Sequence, residues 1–294
     1  MTHKSGFVNI IGNPNVGKST IMNTLVGERI SIITAKSQTT RHRVLGIVSG
    51  DDFQIVYSDT PGVLKPNYKL QESMLSYAQS ALEDADILIY VTDLMEKFDK
   101  NITFLNRVQQ YEGNLLLLIN KVDLAKDQKQ LEVLVEQWKG LLPKAEIYPI
   151  SALHNFNIDT MLKRILELLP EGPPYFPKDQ LTDRPMKFFA SEIIREKILQ
   201  KYQKEIPYSV EVVIEEFNET NDLISMRAII NVERETQKGI IIGHKGLAIK
   251  SVGIDSRKEM ESFFGKKVFL EMFVKVNKEW RNKPLSLKSF GYIQ

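Results

Sequence analysis

The octapeptide Gly12-Asn13-Pro14-Asn15-Val16-Gly17-Lys18-Ser19 fits the pattern G-x-x-x-x-G-K-S/T, and its flanks decide the fold. Before it, residues 7–11 read as an apolar strand; after it, residues 18–26 carry helical spacing. Strand, glycine-framed turn and helix in that order make a phosphate cradle. The glycines let the backbone N–H groups of residues 12–17 wrap an anion. Lys18 brings a point charge to the terminal phosphates, and the Ser19 hydroxyl can ligate magnesium.

Working outward, apolar runs at 53–57, 86–91, 115–119 and 146–150 alternate with helical patterns at 70–84, 102–111, 130–142 and 158–169. Such alternation predicts an α/β unit with a mostly parallel sheet and flanking helices. Each remaining motif follows the end of a predicted strand. Asp59-Thr60-Pro61-Gly62 would set an acid near the magnesium and a glycine N–H near the terminal phosphate. Asn120-Lys121-Val122-Asp123 and Ser151-Ala152-Leu153 would choose the base. The Asp123 carboxylate can accept from N1–H and the exocyclic amine of guanine, whereas adenine offers an acceptor at N1 and no such amine. A polar site of this kind rejects the wrong analogue by factors on the order of 10⁴. Alone, each tetrapeptide would read as a polar turn. In register with the phosphate loop, they read as a guanine-nucleotide site.

This motif set resembles the translation-factor class of P-loop GTPases, and within it the Era and TrmE-like group. The run Ser37-Gln38-Thr39-Thr40-Arg41 is similar to that group's switch I. The resemblance implies magnesium held by Ser19, by Thr40 and, through a water, by Asp59; Thr39 is the alternative to Thr40, one residue away. Ras-like enzymes carry a water-orienting glutamine after the motif glycine, but here Val63 follows Gly62 and cannot bind water. In relatives, an asparagine three residues before the P-loop lysine helps to hold a potassium ion in place of an arginine finger. Asn15 stands there, which implies slow hydrolysis stimulated by potassium.

Residues 170–177, Pro-Glu-Gly-Pro-Pro-Tyr-Phe-Pro, cannot continue a helix or pair as an inner strand. The division expected is therefore a GTPase domain at 1–170, a proline-rich linker at 171–183 and a second domain at 184–294. Of the 39 Lys and Arg, 20 lie from Arg184 onward, with only 15 of the 37 Asp and Glu. The second part is the basic one.

That part reads as a helix from 184 to about 205, strands at 209–217 and 224–233, two helices flanking Gly243-His244-Lys245-Gly246, and a strand at 268–276. A G-x-x-G turn between two helices, in the order α-β-β-α-α-β, resembles a type II KH domain of smaller α+β build. In that module the glycines admit the backbone of single-stranded nucleic acid. Lys245 and Lys250 would supply charge, with Arg257 and Lys258 further along the helix. Ile240, Ile241, Ile242 and Ile249 would line a groove floor or the core.

A GTPase followed by a KH domain is similar to the architecture of the Era family. The resemblance implies GTP and GDP as ligands, RNA at the 3′ end of small-subunit rRNA as partner, a role in small ribosomal subunit assembly, and a monomer. A membrane-associated regulatory GTPase is the second reading, with peripheral contact at the inner face of the membrane. The chain has no cysteine and four scattered histidines, so disulfides, thiolate metal sites and zinc are not expected. With no long apolar run and no apolar leader, a cytoplasmic location is expected.

Overall fold

The structure is a computed structural model that describes residues 2–96 and 101–293. The chain divides into two compact units, Met1–Asn67 with Gln71–Asp183, and Tyr68–Leu70 with Arg184–Gln294.

The first unit runs β1 (Lys4–Gly12), α1 (Lys18–Val26), β2 (Val44–Ser49), β3 (Phe53–Asp59), α2 (Lys69–Glu83), β4 (Ile87–Asp93), α3 (Ile102–Gln109), β5 (Asn114–Asn120), α4 (Gln128–Leu141), β6 (Glu146–Pro149) and α5 (Ile158–Leu168). Its six strands lie in the order β2-β3-β1-β4-β5-β6, all parallel except β2, which runs antiparallel to β3. The all-apolar stretches of β4 and β5 are buried on both faces, as inner parallel strands require. Ala78 and Ala81 of α2, Phe104, Leu105 and Val108 of α3, and Trp138 of α4 share one buried cluster with Leu88, Leu115 and Leu117. Because the inner strands run parallel, their C-terminal ends gather on one edge, where loops can converge on a ligand.

The second unit runs α6 (Met186–Lys201), α7 (Ile206–Ser209), β7 (Glu211–Glu219), β8 (Leu223–Val232), α8 (Glu235–Ile242), α9 (Leu247–Phe264), β9 (Lys267–Val276) and α10 (Pro284–Ser289). Its sheet has the order β7-β8-β9, with β7 antiparallel and β9 parallel to β8. Alternate residues of β8, from Ile224 to Ile230, face a core shared with Ile194 and Ile198 of α6, Ile241 of α8 and Val252 of α9.

One expectation needs correction. The first helix of this unit stops at Lys201 rather than near 205, and a separate short turn of helix carries Pro207 in its first turn. The edge strand β2 and the closing helix α10 were not foreseen. Residues 171–183 pack on the first unit by backbone hydrogen bonds to His3 and Ile47.

Candidate functional site

The phosphate loop closes on its own lysine. Lys18 is buried, and its Nζ donates to the carbonyls of Gly12 (3.1 Å) and Asn13 (2.8 Å). Burial lowers its pKa to about 8, against the opposing pull of Asp59 and Glu96. Such a lysine favours an incoming anion, because a phosphate would stabilise its charged form.

Three oxygen ligands meet beside it. Ser19 Oγ donates to Asp59 Oδ2 at 2.7 Å and lies 2.9 Å from Thr40 Oγ1, which itself reaches Asp59 Oδ2 at 3.4 Å. Asp59 is fully buried at the end of β3, and burial pushes its carboxyl up, opposed by Lys18 and the hydroxyl of Ser19. Two hydroxyls around a buried carboxylate form a hard donor set that suits magnesium. Of the two threonines, Thr40 brings its hydroxyl to Asp59 and Ser19. Thr39 Oγ1 instead donates to the Lys36 carbonyl at 2.6 Å and meets Thr34 Oγ1 at 2.6 Å.

The remainder of that loop is fixed by backbone. Thr60 Oγ1 donates to the Ile10 carbonyl at 2.8 Å, and after Pro61 a Cβ on Gly62 would stand 2.7 Å from the backbone of Pro14. Val63 points into the core among Ile11, Ala78 and Leu88. Its backbone carbonyl accepts from Asn101 Nδ2 at 2.8 Å, and Asn101 also meets the Asn13 side chain.

At the base end, Asn120 Nδ2 donates to the Val16 carbonyl at 2.9 Å, and its Oδ1 accepts from Ala152 N at 3.1 Å. One buried amide therefore joins the phosphate loop to the loop after β6. Ser151 Oγ donates to Asp123 Oδ1 at 2.5 Å, orienting the carboxylate, while Leu153 is exposed. Lys121 Nζ donates to the Asn15 carbonyl and to Asp93 Oδ2, both at 2.6 Å. Asn15 adopts a left-handed φ of 69°, and its Nδ2 donates to the Ala35 carbonyl, two residues before Ser37, at 3.1 Å. A cavity of about 450 Å³ opens between Pro14, Lys18, Ser19, Thr40, Gly62 and Lys121.

Asp93, Glu96 and Asn101 were missed by sequence reasoning. Asp93 ends β4 as Asn120 ends β5, a placement at a strand terminus that could have flagged it.

In the second unit, Gly243 (φ 70°) and Gly246 (φ 77°) bracket a tight turn, His244–Gly246, between α8 and α9. A Cβ on Gly243 would meet Ala248 Cβ at 2.5 Å, so only glycine lets the two helices approach here. His244, Lys245 and Lys250 are exposed, as are Arg257 and Lys258. The isoleucines divide: Ile241 is fully buried, Ile249 packs on the core, and Ile240 stays half exposed beside the turn.

The family model described as 50S ribosome-binding GTPase matches residues 7–121, and the KH domain model matches residues 205–281. GTPase Era of Geotalea daltonii is 44% identical over 98% of this chain and 97% of its own length. GTPase Era of Alkaliphilus metalliredigens is 43% identical over 99% of this chain and 100% of its own. Among solved structures, Era in complex with MgGDPNP and nucleotides 1506-1542 of 16S ribosomal RNA matches with a TM-score of 0.94 at 38% identity. A variant of Aquifex aeolicus Era bound to GDP.AlF4- matches equally, and both comparisons cover 99% of this chain and 100% of the other. With its phosphate loop, base-selecting motifs and G-x-x-G turn on one continuous match, the chain belongs to the Era family of GTPases.

Proposed function

We propose that the protein binds and hydrolyses GTP in the first unit and holds single-stranded rRNA near the 3′ end of the small-subunit rRNA in the second, assisting small ribosomal subunit assembly. The observation that carries the nucleotide part is the meeting of Ser19, Thr40 and Asp59 beside a buried Lys18. The RNA part rests on the Gly243–Gly246 turn with the exposed His244, Lys245 and Lys250, and on the relative solved with 16S ribosomal RNA.

Residues 12–17 would wrap the phosphates with backbone N–H groups, and Lys18 would turn from the Gly12 and Asn13 carbonyls to the terminal phosphates. Asp123, held by Ser151, would accept from the guanine edge, while Asn120 and Lys121 fix the base loop to the phosphate loop. Ser19, Thr40 and Asp59 would hold magnesium, Asp59 through a water; the ion supplies neutralisation of charge between the outer phosphates.

The buried Val63 can place no water, so hydrolysis relies on backbone and cations. Asn15 lies against the Ala35 carbonyl, and those two oxygen-bearing groups would hold a potassium ion beside the phosphates. Loss of the terminal phosphate would release Thr40 and the loop after Gly62, and the RNA affinity would change with nucleotide state.

The test has two arms. GTP turnover is measured with magnesium in potassium or sodium chloride, for wild type and Asn15→Ala; turnover with no preference for potassium removes the Asn15 role. Binding of a single-stranded RNA copying the 16S 3′ end is measured with Gly246→Asp as comparison. A carboxylate there should repel the RNA backbone, so equal binding by that variant removes the KH reading.

A further inference from the structure

The proline-rich segment joining the two units is bound along the edge of the GTPase sheet. Gly172 N donates to the His3 carbonyl at 3.0 Å, and Ser5 Oγ donates to the Pro173 carbonyl at 2.6 Å. Gln54 of β3, fully buried, then clamps the chain. Its Oε1 accepts from Tyr175 N (2.7 Å) and Phe176 N (2.9 Å), and its Nε2 donates to the Phe176 carbonyl (2.8 Å). Lys178 Nζ donates to the Gly50 and Asp51 carbonyls, both at 3.0 Å. Proline leaves its carbonyl free, and side chains supply the donors that an edge strand would otherwise provide.

The far end of this strap lies on β2, the strand that follows switch I. Ile47 N donates to the Leu181 carbonyl at 2.8 Å, Gly46 and Thr182 form an antiparallel bridge, and Leu45 N donates to Asp183 Oδ1 at 3.1 Å. Across β2, Val44 pairs with Asp59 and Leu45 with Ser58. Between Thr40 and β2 there is no slack. Arg41 and His42 are buried, and Arg43 grips Asp84 with two bonds of 2.6 and 2.9 Å and Ser58 Oγ with a third of 2.7 Å. The first helix of the second unit begins at Met186, three residues after Asp183.

We propose that β2 and the strap act as one two-state element that carries the state of switch I to the start of the KH unit. When Thr40 is drawn to the magnesium site, the start of β2 is held and Leu45 and Ile47 keep the strap paired. When Thr40 is released, the pairing loosens from Asp183 backward and the KH unit gains freedom of orientation. This rests on the reading of Thr40 as a magnesium ligand and of the second unit as RNA-binding. It adds a physical element whose equilibrium both sites bias, which coupling between sites requires.

The experiment uses the full chain and a single-stranded RNA copying the 16S 3′ end, with the dissociation constant measured in a non-hydrolysable GTP analogue and in GDP. The variants are Asp183→Ala, which removes the acceptor of Leu45 N, Gln54→Ala, which opens the clamp, and Asp179→Ala as an exposed strap control. Wild type and Asp179→Ala should show a ratio between the two nucleotide states of about fivefold or more, the scale of typical coupling. Both other variants should bring it close to one. A general loss of stability would lower both affinities and leave the ratio standing. In wild type, amide exchange at Leu45 and Ile47 should be slower with the analogue than with GDP. A wild-type ratio of one would sink nucleotide gating altogether, and the strap with it. A ratio preserved in Asp183→Ala and Gln54→Ala, or equal exchange at both amides beside a ratio above five, would sink the strap alone.

Discussion

A Cβ placed on Gly17 would stand 2.2 Å from Asn120 Nδ2, the same nitrogen that donates to the Val16 carbonyl. The phosphate loop and the base loop are thus built against each other through one buried amide. Gly17 also has a φ of 98°, so Gly17→Ala incurs both backbone strain and the clash. Asn120→Ala is the gentler probe. It leaves a buried carbonyl unpaired, at about 1–3 kcal/mol. Affinity for GTP and GDP should fall together, by roughly one to two orders of magnitude, in a fluorescent-nucleotide titration. A loss confined to GTP would show that Asn120 acts on the terminal phosphate instead.

Asp123 accepts the Ser151 hydroxyl on Oδ1, and its Oδ2 lies 3.8 Å from His154 Nε2. Asp123→Asn replaces an acceptor by a donor opposite the exocyclic position. Affinity for GTP should fall by a factor on the order of 10⁴, while xanthosine triphosphate, with an oxygen there, should bind the variant better than GTP. Competition binding with both nucleotides checks this, and unchanged preference would move base recognition away from Asp123.

Lys18 makes nucleotide binding depend on pH. Burial sets its pKa at about 8 in the free protein, below the ordinary 10.5. A bound phosphate favours the charged form, so binding above pH 8 should take up a proton and weaken as pH rises. Stability of the nucleotide-free protein should move the other way. Between about 8 and 10.5 the unfolded chain holds the proton that the folded chain has lost, so stability increases with pH through that window. Calorimetry in two buffers of different ionisation heat measures the uptake. Equal apparent enthalpies at pH 8.5 would rule out this role for Lys18.

The contiguous motifs were readable because each is a local instruction: glycines and a lysine at fixed spacing between a strand and a helix. What escaped reading has its partners far along the chain. Thr39 and Thr40 are interchangeable as letters, and they separate only because Thr39 turns to Lys36 while Thr40 reaches Asp59. The strand β2 is six residues long, contains Gly46 and follows an irregular loop, so its period is too short to read. The prolines of 170–177 do exclude helix and inner strand. They say nothing of the buried Gln54, more than a hundred residues earlier, that holds the segment down. Likewise, no pattern near Trp280 announces the Ser209 carbonyl to which its ring N–H donates.

Val63 offers a test of the catalytic reading. If the missing water-orienting glutamine were merely absent from the site, Val63→Gln would accelerate hydrolysis. The side chain instead lies in the core with Ile11 and Leu88, so the amide would be buried away from phosphate. Single-turnover hydrolysis should not rise. Thermal stability should drop by an amount matching about 1–3 kcal/mol, the cost of an unpaired buried amide. An accelerated variant would show that position 63 can face the nucleotide.

Trp280 tests how far the C-terminal segment belongs to the KH core. It is fully buried, donates Nε1–H to the Ser209 carbonyl at 2.9 Å, and stacks edge-on against Phe290 at 5.5 Å. Nearby, Tyr292 donates to the buried Glu211 at 2.7 Å. The segment therefore closes the start of β7 from outside the αββααβ frame. Trp280→Phe keeps most of the apolar volume but strips the Ser209 carbonyl of its donor, which costs about 1–3 kcal/mol. Tyr292→Phe should cost a similar amount by leaving a buried carboxylate oxygen without its hydroxyl partner. The two sites share the α7–β7 junction, so their effects should be non-additive. Urea unfolding followed by amide exchange in β7 and β8 should show that region loosening in each variant, while GTP affinity stays within about twofold of wild type. Equal protection of β7 in wild type and both variants would mean that residues 280–293 merely cover the KH unit, and that its fold is complete without them.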